Sequence, residues 1–236
     1  MPFQVYIVTG VLVLAALLFS VYASIKVRST FSRYSGERPA SGMTGYDAAR
    51  KVLDENGLYG VRIERVSGSM TDHFDPRANV IRLSETVYDV SSTAAVGVAA
   101  HEAGHAVQYA RHYIPLRLRN AIIPITNIGA RLSTPLVLLG LLLSIIGSQF
   151  ILVAYAGVVC FGLSVLFQLL TLPTEFNASR RALKAVSAYG VLTPEETAST
   201  RKVLSAAAMT YVAAMLVAFT QLLRLLAIVA SRDRRR

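Results

Sequence analysis

The chain has one cysteine, Cys160, and only four histidines. A lone cysteine closes no internal disulfide and has no cysteine neighbour with which to hold a metal. Disulfide scaffolds and thiolate clusters are therefore excluded, and Cys160, set in an apolar run, reads as a small filler. Charge is scarce as well: 16% of the 236 residues are charged against 53% hydrophobic. It is absent altogether from residues 1–25, 132–174 and 203–223. A run of about 20 apolar residues spans a bilayer, so these stretches exclude a large soluble core and point to a membrane protein. Residues 1–10 lack any Lys or Arg, and the first apolar run is longer than a signal-peptide core, so an uncleaved anchor is expected. The net charge of +10 comes without stacking aromatics or a recognition-helix pattern. Nucleic acid is therefore not the expected partner. The basic residues flank the apolar runs, where anionic lipid headgroups are the natural counter-charge.

The charge-free runs predict four membrane spans. Residues 1–25 supply the first and residues 203–223 the last. The middle run carries Gly147-Ser148-Gln149 near its centre and reads as two helices joined by a tight hairpin. Gly140 and Ser144 are spaced for close helix approach there. Residues 26–42, with Gly36, Pro39 and Gly42, are expected to form a linker. Thr44 and Asp47 then form a capping box for a short helix ending at Gly57, with Ala48, Val52 and Leu53 as its buried stripe. Residues 61–66 alternate like a half-buried strand, Asp75-Pro76-Arg77-Ala78-Asn79 is a turn, and residues 80–83 are a second strand. That strand is expected to offer an exposed edge to an extended substrate. Residues 114–131, with Pro115 and Pro124, are expected to run along the interface before turning in. Thr193-Pro194-Glu195-Glu196 is a capping box opening the last span, which marks Glu195 and Glu196 as cap residues.

The chemistry concentrates at His101-Glu102-Ala103-Gly104-His105, on a helix over residues 92–111 that Ser91 or Ser92 can cap. Histidines four apart leave one face of a helix about one turn from each other. Both imidazoles can then close on one Zn2+, while Glu102 faces a zinc-activated water as general base. A catalytic zinc needs a third protein ligand and an open position. Glu175 lies beyond the hairpin, which returns the chain to the side of His101, so topology favours it; Glu64 and Glu85 are the competitors. His73, in a loop before the second strand, could polarise a substrate or support the site. Asn177 and Ser179, close to Glu175, are expected to support the metal ligands by hydrogen bonds.

Thr71-Asp72-His73-Phe74-Asp75-Pro76, Arg82-Leu83-Ser84, the run from Ala99 through His101-Glu102-Ala103-Gly104-His105 to Gln108, and Leu172-Pro173-Thr174-Glu175-Phe176-Asn177-Ala178-Ser179-Arg180-Arg181 together resemble the YugP-type membrane zinc metallopeptidases. The resemblance covers nearly everything from Thr44 to Leu223. It implies a mainly α membrane protein, four transmembrane helices with a small zincin-like α+β catalytic part. It is also similar in design to the HtpX-type membrane proteases, whose third ligand is a glutamate after a membrane hairpin. Those place an acidic residue four positions after that glutamate, where this chain has Ser179. FtsH-type proteases share the histidine motif, but this chain has no Walker A loop.

The expected organisation is a first transmembrane helix over 1–25, a catalytic part over 26–119, a transmembrane hairpin over 120–172, a third-ligand helix and connector over 173–202, and a last transmembrane helix with a basic tail over 203–236. The expected function is hydrolysis of peptide bonds in membrane or membrane-proximal polypeptides. The alternative is a non-proteolytic membrane scaffold or assembly factor that holds zinc structurally. Lys26, Arg28, Arg33 and Arg38 follow the first span, and the basic residues before the second and between the third and fourth fall on the same side. By the bias of cytoplasmic loops toward Lys and Arg, the catalytic part is expected to face the cytoplasm, in the plasma membrane of a prokaryote.

Overall fold

Four long helices dominate the computed structural model, which describes residues 2–233; the end of the basic tail, from Arg234, lies outside the described residues. They are α1 (Pro2–Tyr34), α4 (Ile114–Leu143), α5 (Ile151–Ala188) and α6 (Pro194–Asp233). All four are long and apolar enough to cross a membrane. At 1.5 Å per residue the 38 residues of α5 run for about 57 Å, far more than the roughly 30 Å of hydrocarbon in a bilayer. Between the long helices lie α2 (Gly45–Asp54), α3 (Thr93–Ala110) and three short strands, β1 (Arg62–Val66), β2 (His73–Asp75) and β3 (Val80–Ser84).

The chain forms two compact units. One comprises Met1–Tyr22, Leu118–Leu172 and Thr210–Arg236. Its buried residues Val137, Ile151, Ala154, Val158 and Val229 bring α4, α5 and α6 together. The expected close approach occurs at Gly140, where an added Cβ would collide with the Ala154 backbone. Large side chains such as Leu14, Leu17, Leu18, Leu138, Leu142 and Val159 are exposed, and a bilayer is the environment that covers such surface.

The other unit comprises Ala23–Arg117 and Pro173–Met209 and contains the sheet and α3. The strand order is β1-β3-β2, with β1 and β3 parallel and β2 antiparallel to β3. Small residues of α3, among them Ala95, Ala99, Ala103 and Ala106, pack in one core with Val52 and Leu53 of α2, Ile81 and Leu83 of β3, and Ala182 and Val186 of α5. Leu53, Ile81 and Leu83 are fully buried; truncating such a residue to Ala typically costs about 2–5 kcal/mol. The Thr44–Asp47 capping box of α2 is present, and Ser92 caps α3 through Ala95 N. Thr193 N–H donates to Glu196 Oε2 at 2.9 Å as part of the α6 cap, and Glu196 Oε1 accepts from Ala40 N–H at 2.6 Å, so both oxygens of that glutamate are engaged.

Several sequence expectations are corrected. α1 continues through the expected linker to Tyr34, because nothing before Gly36 stops a helix. α4 runs unbroken through Pro124 and Pro135, and α5 through Pro173, so Glu175 does not begin a new helix. The second strand, β3, is the central one, flanked on both sides, and the expected free edge there does not exist. The loop assigned to His73 is a strand, β2, and it is this strand that forms an edge of the sheet.

Candidate metal centre

The centre is built on two crossing helices. On α3, His101 and His105 lie one turn apart and edge to face, with ring centroids 4.7 Å apart and planes at 88°. On α5, Glu175 is buried and points its Oε2 at both: 3.3 Å from His101 Nε2 and 3.4 Å from His105 Nε2. The approach depends on Gly104. A Cβ there would lie 2.8 Å from the Ala178 carbonyl oxygen, so only glycine lets the α3 backbone sit directly against α5.

Hydrogen bonds fix the rings. Arg181 can only donate, and its Nε gives to Asn177 Oδ1 at 2.7 Å. That oxygen also accepts from Gln108 Nε2 at 3.0 Å, and Gln108 Nε2 donates to the Thr174 carbonyl at 2.8 Å. The amide oxygen of Gln108 therefore faces His105 and accepts from its Nδ1–H at 3.0 Å. His105 is left with a lone pair on Nε2, the nitrogen facing Glu175. On the other histidine, Ser179 Oγ lies 3.1 Å from His101 Nδ1, within hydrogen-bond distance. Thus Ser179 stands where the HtpX-type pattern has an acid, and it bonds the first histidine directly. Asn177 acts one step removed, through Gln108.

Among the described residues, His101, His105 and Glu175 form the group whose ligand atoms all lie within 4.8 Å of one another. Two ligands held at about 2.1 Å on a tetrahedral zinc stand about 3.4 Å apart, which matches the two histidine–glutamate separations. Two imidazole nitrogens and one carboxylate oxygen are also a donor set zinc accepts, with a position left for a reactant. The donors present therefore fit the ion.

Glu102 lies beside this group, buried to 8% exposure. Burial pushes its carboxyl up to about 7; His101 opposes the rise, Glu175 and Asp72 add to it, and a backbone hydrogen bond from Phe74 of β2 opposes it. Asp72 is held by Ser84, accepting from its N–H at 2.7 Å and its Oγ at 3.1 Å.

The remaining sequence candidates lie elsewhere. His73 is exposed at the sheet edge, with Nδ1 2.8 Å from the Thr71 carbonyl and Nε2 3.4 Å from Arg82 NH1. Glu64 pairs with Arg62 at 2.7 Å and Arg82 at 3.5 Å. Gln108 and Arg181 were not singled out by sequence. The available signal for Gln108 was its place three residues after His105, on the same helical face.

The comparisons with known proteins agree with this chemistry. Residues 9–230 match the family described as "Putative neutral zinc metallopeptidase". The chain belongs to this zinc metallopeptidase family. A curated relative in Bacillus subtilis (strain 168), named "Putative membrane protease YugP", is 46% identical over 216 residues, which is 90% of this chain and 92% of the relative. No solved structure matches the chain. The cofactor of a zinc metallopeptidase is Zn2+, its substrate is a peptide, and the four apolar helices make this member a membrane protein.

Proposed function

We propose that the protein is a membrane-embedded endopeptidase in which His101, His105 and Glu175 hold one zinc ion and Glu102 is the general base. The observation that carries this reading is the convergence of two histidine Nε2 atoms on one Glu175 oxygen, with a further buried carboxylate alongside. Zinc bound there supplies a Lewis acid that polarises a carbonyl and makes a water molecule more acidic. Glu102 takes the proton of the attacking water and passes it to the leaving amine. Ser179 and the Gln108–Asn177–Arg181 chain keep the histidine lone pairs aimed at the metal position.

The substrate in this reading is a membrane or membrane-proximal polypeptide, bound in extended form along the free edge of β2. Phe74 on that strand already contacts Glu102 through its backbone, so a chain added there runs past the base. The catalytic part faces the cytoplasm of a prokaryotic cell. Lys26, Arg28, Arg33 and Arg38 follow the first span, Arg111, Arg117, Arg119 and Arg131 lead into the second, and Arg180, Arg181, Lys184, Arg201 and Lys202 lie between the third and fourth; these thirteen outweigh the four arginines of the C-terminal tail, which this orientation puts on the other side with the uncharged hairpin at Gly147. The test is cleavage of an unfolded protein by the purified, zinc-loaded chain. Glu102→Gln should abolish cleavage and keep its zinc; cleavage at the wild-type rate by that variant would remove Glu102 from the mechanism.

A further inference from the structure

A cleft of about 680 Å³ lies between α1 and α6 in the unit that contains the sheet, away from the metal centre's residues. Lys26 and Arg33 enter it from α1 and Lys202 from α6, with the Ser29 and Ser205 hydroxyls beside them. No carboxylate is among the described residues that line it. Among the described residues, none of the three cations has a carboxylate within 4.0 Å. Two of them lie over the Tyr34 ring, with the Arg33 guanidinium 5.6 Å and the Lys202 ammonium 5.7 Å from its centroid. An aromatic face offsets only part of the mutual repulsion of gathered cations, so an anion in the cleft is favoured.

Its place along the chain says which anion. Lys26 is the first charge after the charge-free residues 1–25, and Lys202 is the last before the charge-free residues 203–223. The cleft therefore lies where both helices leave the hydrocarbon, at the depth of the lipid headgroups. We infer that it is a binding site for the phosphate headgroup of an anionic phospholipid, with Lys26, Arg33 and Lys202 as its cationic ligands and the Ser205 hydroxyl as a further donor.

The same two helices hold the start of α3. Thr93 N–H donates to the Glu37 carbonyl at 2.9 Å, Thr93 Oγ1 to the Tyr34 carbonyl at 3.3 Å, and Thr200 Oγ1 to the Thr93 carbonyl at 3.0 Å. Tyr34, Ala94 and Val203 pack together at that point. A headgroup held by Arg33 and Lys202 ties α1 to α6 beside Tyr34 and so steadies the N-terminus of the helix that carries His101 and His105.

The experiment uses the full-length, zinc-loaded protein in nanodiscs of phosphatidylcholine alone or with a minority of phosphatidylglycerol. Phosphatidylglycerol should raise the unfolding midpoint and remain bound in native mass spectrometry. Each cation removed should weaken its retention roughly five-fold, the equivalent of about 1 kcal/mol per basic residue near an anionic surface. Arg33→Gln with Lys202→Gln should abolish the rise. Lys26→Gln, an exposed change that does not threaten folding, should weaken retention by itself. Arg62→Gln, an exposed cation on β1 outside the cleft, should leave retention unchanged. Equal midpoints in the two nanodiscs, or a rise that survives loss of all three cations, would overturn the inference. So would inorganic phosphate reproducing the rise in phosphatidylcholine, since the site would then take a soluble anion.

Discussion

Replacing Gly104 by Ala tests how the metal centre is assembled. The added Cβ falls 2.8 Å from the Ala178 carbonyl oxygen. Carbon–oxygen contacts of this kind ordinarily settle near 3.3–3.6 Å, so one helix must retreat by about half an ångström. The obstacle is backbone, and no side-chain rotation relieves it. Glycine to alanine inside a helix otherwise gains about 0.5–1 kcal/mol. Overpacking costs about 1–3 kcal/mol, so the clash decides the sign. The displacement separates the helix of His101 and His105 from the helix of Glu175, and metal–ligand distances tolerate only about 0.2 Å. Zinc affinity should therefore fall about ten-fold or more, with a lower unfolding midpoint. The assay is competition with a chromogenic chelator on the full-length protein. Gly162→Ala is the matched control, because nothing lies within 4 Å of its added Cβ; it should leave zinc affinity unchanged. Wild-type affinity and midpoint in Gly104→Ala would refute the close-approach argument.

Gln108→Ala removes the acceptor for His105 Nδ1–H and strands the Asn177 and Thr174 partners; zinc affinity should drop about 10–100-fold, measured by the same competition. Ser179→Ala frees the His101 ring and should also weaken zinc, whereas Ser179→Asp, which restores an acceptor, should bind at least as tightly as the wild type. Glu196→Ala deletes both the α6 cap and the bond to Ala40 N–H, and should cost about 1 kcal/mol in chemical denaturation with zinc affinity intact. A reporter that fluoresces only in the cytoplasm should be bright when inserted near Gly36; a dark insertion there would place the catalytic part outside.

The helical part of the centre was legible because its geometry is local. His101 and His105 need only the 3.6-residue period to meet, and the caps at Thr44, Ser92 and Thr193 need only neighbours three residues away. Glu175 was legible through topology, from the lengths of the uncharged runs. The supports were not. Gln108 looks like an ordinary polar residue, and its role exists only once Asn177 and Arg181 are folded against it. β2 is three residues ending just before Pro76, too short to show a period of two. The parallel pairing of β1 with β3, which makes residues 80–83 central, depends on a crossover that no local pattern records. α4 passed through Pro124 and Pro135 because an apolar surrounding offers a broken backbone no better partner than the helix itself.

The most direct measurement of the central claim is the zinc content of the purified wild-type, Glu175→Ala and Glu102→Gln proteins after identical metal loading and desalting. One zinc per wild-type chain, strong loss in Glu175→Ala and full occupancy in Glu102→Gln is the expected pattern. Full occupancy without Glu175, or loss of zinc without Glu102, would contradict the ligand set.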